Sequence, residues 1–249
     1  MKVSVLASGS KGNSTYIETN NTKILVDLGM TTLYVEKKLA KIDIDPNEID
    51  AIILTHTHVD HISGLKVFTK KYNTKVYLTE KMLKDINEIS PLKNYEIITN
   101  DFKIKDLEIE IIKTSHDASD SNGYIFKSNN KTISYITDTG YINRKYKDKL
   151  TNKNLYIMES NHDIKMLQDG KYPYHLKQRV LSDTGHLSNE MCSKYLKEYI
   201  GKDTKKIILI HLSHENNTEE KALNTLKENI EFNDIIISKQ DDNTELVEI

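Results

Sequence analysis

The chain has 249 residues and a formal charge of −2, so it exerts no global attraction on nucleic acid, although a local basic groove stays open. A single cysteine, Cys192, excludes an intrachain disulfide and fits a reducing compartment. No apolar run reaches membrane-spanning length, and the short apolar stretch at Met1–Gly9 reads as a first strand rather than a signal peptide. With three prolines and no linker or repeat, one domain over residues 1–249 in the cytoplasm is expected.

Val3–Ala7 alternates as a strand and runs into Ser8-Gly9-Ser10-Lys11-Gly12-Asn13-Ser14, a loop able to bring backbone N–H groups to an anion. Most such loops are plain turns, so Ser8 and Asn13 are candidate substrate contacts only in stronger company. Tyr16–Glu18 and Lys23–Asp27 read as strands, Thr32–Lys41 as a helix and Ala51–Leu54 as a buried strand. Leu65–Tyr72, Val76–Leu78 and Glu80–Glu88 then alternate helix, strand, helix. A second strand-rich block follows at Leu107–Lys113, Gly123–Ser128 and Thr132–Ile136. Elements interleave again at Asn154–Met158, Ser188–Ile200, Lys206–Ile210, Thr218–Asn229 and Ile235–Ile237. The chain therefore has two similar halves, each strands first and helices after. Cys192 lies on the helical pattern Met191, Tyr195, Leu196, Tyr199 and is read as a core thiol.

The richest stretch is Leu54-Thr55-His56-Thr57-His58-Val59-Asp60-His61-Ile62-Ser63-Gly64, directly behind the Ala51–Leu54 strand. Spaced two apart on extended chain, His56 and His58 can aim both imidazoles at one point, and Asp60 and His61 follow where the chain turns. Imidazole and carboxylate together suit zinc, and equally manganese, iron or nickel. A histidine-rich surface loop is the bland alternative, and this spacing disfavours it. Four later strands also end in polar tips: His116-Asp117, Asp138, Glu159-Ser160-Asn161-His162-Asp163 and His211. Singly, each acid reads as a turn or cap residue and each histidine as a surface group.

As a set, these motifs resemble the metallo-β-lactamase superfamily. The stretches Ser8–Ser14, Ser115-His116-Asp117-Ala118, Thr137-Asp138-Thr139-Gly140-Tyr141, Glu159–Asp163, Gly185-His186-Leu187-Ser188-Asn189 and His211-Leu212-Ser213 narrow the likeness to its YycJ (WalJ) branch of bacterial hydrolases, over nearly the whole chain. The resemblance implies an α/β fold, a four-layer αβ/βα sandwich, with two divalent metal ions. His56, His58, His116 and Asp138 would hold one ion. Asp60, which also belongs to the catalytic set, would hold the other with His61, Asp138 and His211, and a bridging hydroxide would be the nucleophile. It further implies phosphodiester hydrolysis, including 5′→3′ exonuclease action on DNA ends. One departure stands out: position 57, often Glu in that branch, is Thr57 here. By strand alternation Thr57 should point away from the metals.

The remaining histidines divide by context. His186 is the candidate general acid or phosphate ligand, the alternative being a cap for its own helix. His162 and His175 are candidate phosphate contacts or neighbours of the ligands, with surface histidine as the alternative, and His214 reads as a surface group. Only Arg144 and Arg179 are arginine in this lysine-rich chain. Arg179 is placed near substrate, where a planar guanidinium suits phosphate; a plain surface arginine is the competing reading. Two other functions remain open: a same-fold hydrolase of a small cyclic phosphodiester, thioester or lactam, and a non-enzymatic metal-binding interaction module.

Overall fold

The computed structural model describes all 249 residues. The first half contains β1 (Lys2–Ala7), β2 (Ser14–Glu18), β3 (Lys23–Val26), α1 (Thr32–Ala40), β4 (Ala51–Ile53), α2 (Val59–Ile62), α3 (Leu65–Tyr72), β5 (Lys75–Leu78), α4 (Glu80–Ile89) and β6 (Tyr95–Ile97). The second contains β7 (Phe102–Ile104), β8 (Leu107–Lys113), β9 (Asn122–Ser128), β10 (Lys131–Ile136), α5 (Lys147–Leu150), β11 (Leu155–Glu159), α6 (Ile164–Asp169), α7 (Tyr174–Leu181), α8 (Asn189–Tyr199), β12 (Lys206–Ile210), α9 (Glu219–Asn229) and β13 (Ile235–Ile237). A last strand, β14 (Val247–Glu248), returns to pair with β1.

The strands form two seven-stranded sheets, ordered β14-β1-β2-β3-β4-β5-β6 and β13-β12-β11-β10-β9-β8-β7. In each, an antiparallel meander hands over to parallel strands: β3 pairs parallel with β4, and β10 with β11. Strand alternation decides what each face meets. Val3, Val5, Ile24 and Val26 of the first sheet meet Phe126, Tyr135, Ile157 and Ile208 of the second in a shared core. The opposite faces bury under helices: Leu25, Ile52 and Val76 beneath α1, α3 and α4, and Tyr156, Ile207 and Leu209 beneath α8 and α9. The layers run helix, sheet, sheet, helix, which is the four-layer αβ/βα sandwich. Cys192 is buried in the α8 layer, and burial pushes its thiol pKa up. No helix is long and apolar enough to cross a membrane.

This topology brings the carboxyl ends of β3, β4, β8, β10, β11 and β12 to one edge of the sandwich. The halves are stitched together there: Asn122 N–H donates to Thr55 O at 2.9 Å, and the Tyr124 hydroxyl donates to Leu54 O at 2.5 Å. Asn13 N–H donates to Asp60 O at 2.8 Å, an approach that requires Gly29, where an added Cβ would lie 1.6 Å from that same oxygen. Just past their strands, Asp27, Asp138 and His211 adopt left-handed backbone, with φ of 60°, 46° and 58°. Such strain in non-glycine residues clusters where side chains must be aimed.

Candidate metal centre

Short loops and one turn of helix position the histidines. His56 and His58 lie on the extended segment behind β4, and Asp60 and His61 on α2, so the motif folds back on itself within a few residues. His116 follows β8, Asp138 follows β10, and His211 follows β12. The structure brings all of them together. Donor atoms of His56, His58 and His116 lie within 4.8 Å of one another, as do those of Asp60, His61 and His211. Asp138 stands between the groups: its Oδ2 is 3.1 Å from His61 Nε2, and its Oδ1 is 3.9 Å from His116 Nε2 and 3.4 Å from His211 Nδ1.

Two observations test whether these residues fit cations. His56 Nε2 and His211 Nε2 are buried and make no hydrogen bond, a costly arrangement for an imidazole nitrogen unless something else satisfies it. Burial, reinforced by neighbouring imidazoles, holds the His56 pKa well below its ordinary value, and burial also lowers that of His116. Both rings are then neutral, the form that coordinates a metal. On the other side burial alone would raise the Asp138 carboxyl, but His211 and His61 outweigh it and hold the pKa well below the carboxylate range. Burial likewise opposes charge on His61, yet Asp27 and Asp138 raise it to about 10. The pocket thus combines the neutral donors His56 and His116 with His61 and His211, whose protons are held by buried carboxylates and would leave as a cation takes their place beside that negative charge.

Two residues to which the sequence assigned no role, Asp27 and Glu159, support the donors. Asp27, fully buried, accepts from the backbone and hydroxyl of Thr55, both at 2.7 Å, and faces His61 Nδ1 at 2.8 Å. A carboxylate behind an imidazole fixes which ring nitrogen is free for metal. Glu159, also fully buried, contacts His186 Nδ1 at 2.7 Å and His211 Nδ1 at 3.1 Å, and accepts from Thr139 N–H at 3.0 Å. Burial would raise its pKa; His186 and His211 outweigh that and lower it. The available signal was position, since both acids close strands whose preceding residues are buried.

The other expected site residues take varied places. His186 lies 3.3 Å from Asp138 Oδ1 through Nδ1, with its ring 5.1 Å from that of His116. It does not cap α8; Ser188 does, accepting from Met191 N–H. Burial opposes its charge, but Glu159 raises the pKa to about 9. Arg179, on α7, binds Asp117 at 2.5 and 3.0 Å, and Asp117 Oδ1 lies 3.6 Å from His58 Nε2. Arg179 therefore stands at the mouth of the first donor group. His175 is exposed one turn earlier on the same helix face. Ser8 and Asn13 are turned inward: Ser8 Oγ accepts from His211 N–H at 2.7 Å, and Asn13 Nδ2 lies 3.2 Å from Asp60 Oδ2 and 3.0 Å from His61 Nε2. Thr57 points away from the histidines, donating to Asp85 Oδ2 at 2.7 Å.

His162 is buried, and neither ring nitrogen has a partner. Burial pushes its pKa down to about 4, so the folded chain keeps it neutral while the unfolded chain protonates it near the ordinary value of about 6.5. Stability therefore rises with pH between about 4 and about 6.5. From pH 7.5 to pH 5 this residue should remove about 2 kcal/mol of stability. Urea unfolding at both pH values checks this: His162→Gln should lose less stability than the parent chain over that interval.

Comparison with known proteins agrees with this geometry. Residues 22–212 match the beta-lactamase superfamily domain, and the chain belongs to that superfamily. It is 40% identical over 224 residues to Exodeoxyribonuclease YycJ of Bacillus anthracis, covering 88% of this chain and 85% of that protein. Exodeoxyribonuclease WalJ of Streptococcus pneumoniae is also 40% identical, over 232 residues, with 90% and 86% covered. Among solved structures, the metallo-beta-lactamase fold protein YhfI of Bacillus subtilis superimposes with a TM-score of 0.76 at 17% identity, over 98% of this chain and 99% of that one. That last likeness speaks for the fold alone.

Proposed function

We propose that this chain is a cytoplasmic, metal-dependent exodeoxyribonuclease that shortens DNA from its 5′ end, using two divalent cations, zinc or manganese. The observation that carries the reading is the convergence of His56, His58, His61, His116, His211, Asp60 and Asp138 in a chain 40% identical to two exodeoxyribonucleases over most of its length. Bound cations supply an activated water and positive charge opposite the phosphate oxygens. The chain supplies the rest. His56, His58 and His116 would hold one cation and Asp60, His61 and His211 the other, with Asp138 placed to contribute to either.

His186, oriented through Nδ1 by Glu159, presents its other nitrogen to the scissile phosphate and gives a proton to the leaving oxygen. Arg179 reaches the next phosphate by exchanging Asp117 for substrate, and His175 lies further along the same path. Ser8 and Asn13 brace His211, Asp60 and His61, and so act on substrate through the ligands. Single- and double-stranded DNA labelled at the 3′ end, with Mn²⁺ or Zn²⁺, tests the reading alongside a small aryl phosphodiester and a thioester. Progressive loss of 5′ nucleotides from linear but not circular DNA is expected. Turnover of the thioester alone, or no turnover of any substrate, would overturn it.

A further inference from the structure

We propose that the groove between α3 and α4 is a docking site for a short acidic peptide of a partner protein, seated by large apolar side chains and held by its carboxylates. The groove, a cavity of about 600 Å³, has a floor of Ile62, Leu65, Ile86, Ile89 and Leu92. Ile89 is 71% exposed, which leaves a large aliphatic side chain in water at the mouth. Its charged lining is of one sign: Lys66, Lys70 and Lys93, with no aspartate or glutamate. Lys66 and Lys70 lie one turn apart on α3 and rise from the same face, while Lys93 comes from the opposite wall. Nearby Lys71, Lys75 and Lys84 are each engaged by a glutamate, whereas the three groove lysines belong to no ion pair. Unpaired ammonium groups around an apolar floor complement a ligand that is apolar at its centre and anionic at its edges.

The lining also selects among anionic ligands. It carries no aromatic side chain and no arginine, the groups on which bases of a nucleic-acid strand stack. Apolar exposure continues past the cavity through Tyr95 and Ile97 on the edge strand β6, which follows directly from the Lys93-Asn94 wall. A surface of that extent fits a peptide rather than a compact small molecule. Ile62 is the neighbour of His61 on α2, so the occupant would lie behind the helix that carries two metal donors.

Fluorescence polarisation of the labelled peptide Asp-Glu-Leu-Leu-Phe-Glu-Asp, titrated with the full chain, tests this independently of any nuclease activity. Saturable binding is expected, weakened about tenfold or more by the exposed pair Lys66→Glu/Lys70→Glu and, separately, by Ile89→Asp. Unchanged thermal midpoints would show that the variants remain folded. The proposal is overturned by absent or non-saturable binding, by equal binding of a peptide with lysines in place of the acids, or by unchanged affinity in both variants. It is equally overturned if a single-stranded decanucleotide displaces the peptide and shows the same lysine dependence.

Discussion

Asp138→Ala is expected to empty much of the metal centre and to lower hydrolysis by about 10³-fold or more. The magnitude follows from the several kcal/mol of transition-state stabilisation that bound cations contribute, about 4 kcal/mol corresponding to about 10³-fold. The reason lies in geometry. Asp138 turns one oxygen toward His61 at 3.1 Å and the other toward His211 at 3.4 Å and His116 at 3.9 Å, so removing it strips negative charge from both donor groups at once. Its backbone, at a φ of 46°, is held strained to achieve that aim. Asp138→Asn keeps the shape but not the charge and should fall between the parent and the alanine variant in metal retained after dialysis. Metal content per chain, measured beside the hydrolysis rate, checks both variants. A folded Asp138→Ala protein with full metal content would remove the bridging role.

His186→Ala is expected to retain the metals and lose turnover, by about 10²- to 10⁴-fold if the ring acts as general acid. Its Nδ1 is committed to Glu159 at 2.7 Å, which leaves the other nitrogen as the one able to face substrate. Glu159→Gln should reproduce a smaller part of the loss, about 10- to 100-fold, because it disorients the ring without removing it. The effect should also shrink for substrates with good leaving groups: an aryl phosphodiester needs less help from a proton than a nucleotide does. A loss independent of the leaving group would instead assign His186 to holding phosphate. Full activity in the folded alanine variant, with metal content unchanged, would end either role.

The fold was readable where one periodicity ruled. The strands behind the metal donors are continuous apolar runs with polar tips, and the Ala51–Ile53, Leu155–Glu159 and Lys206–Ile210 strands emerge where those runs lie. Short helices were less visible. α2 has only four residues, all within the histidine motif, and α6 and α7 bury one residue each, leaving little helical periodicity to detect. The donors were legible because several of them are packed into one segment whose spacing has few other uses. Asp27 and Glu159 were not, because a single acid behind a strand looks the same whether it closes a turn or anchors an imidazole. Only the fold brings Asp27 to His61, thirty-four positions away, and Glu159 to His211, fifty-two away. Ser8 and Asn13 show the converse: a loop composed for anion contact spends its side chains on bracing the metal donors.

The most direct measurement is anomalous diffraction from crystals grown with Zn²⁺ or Mn²⁺. Two peaks are predicted, one among His56, His58 and His116 and the other among Asp60, His61 and His211, with Asp138 touching both. A single peak, peaks elsewhere on the chain, or an Asp138 carboxylate bound to neither ion would contradict the account.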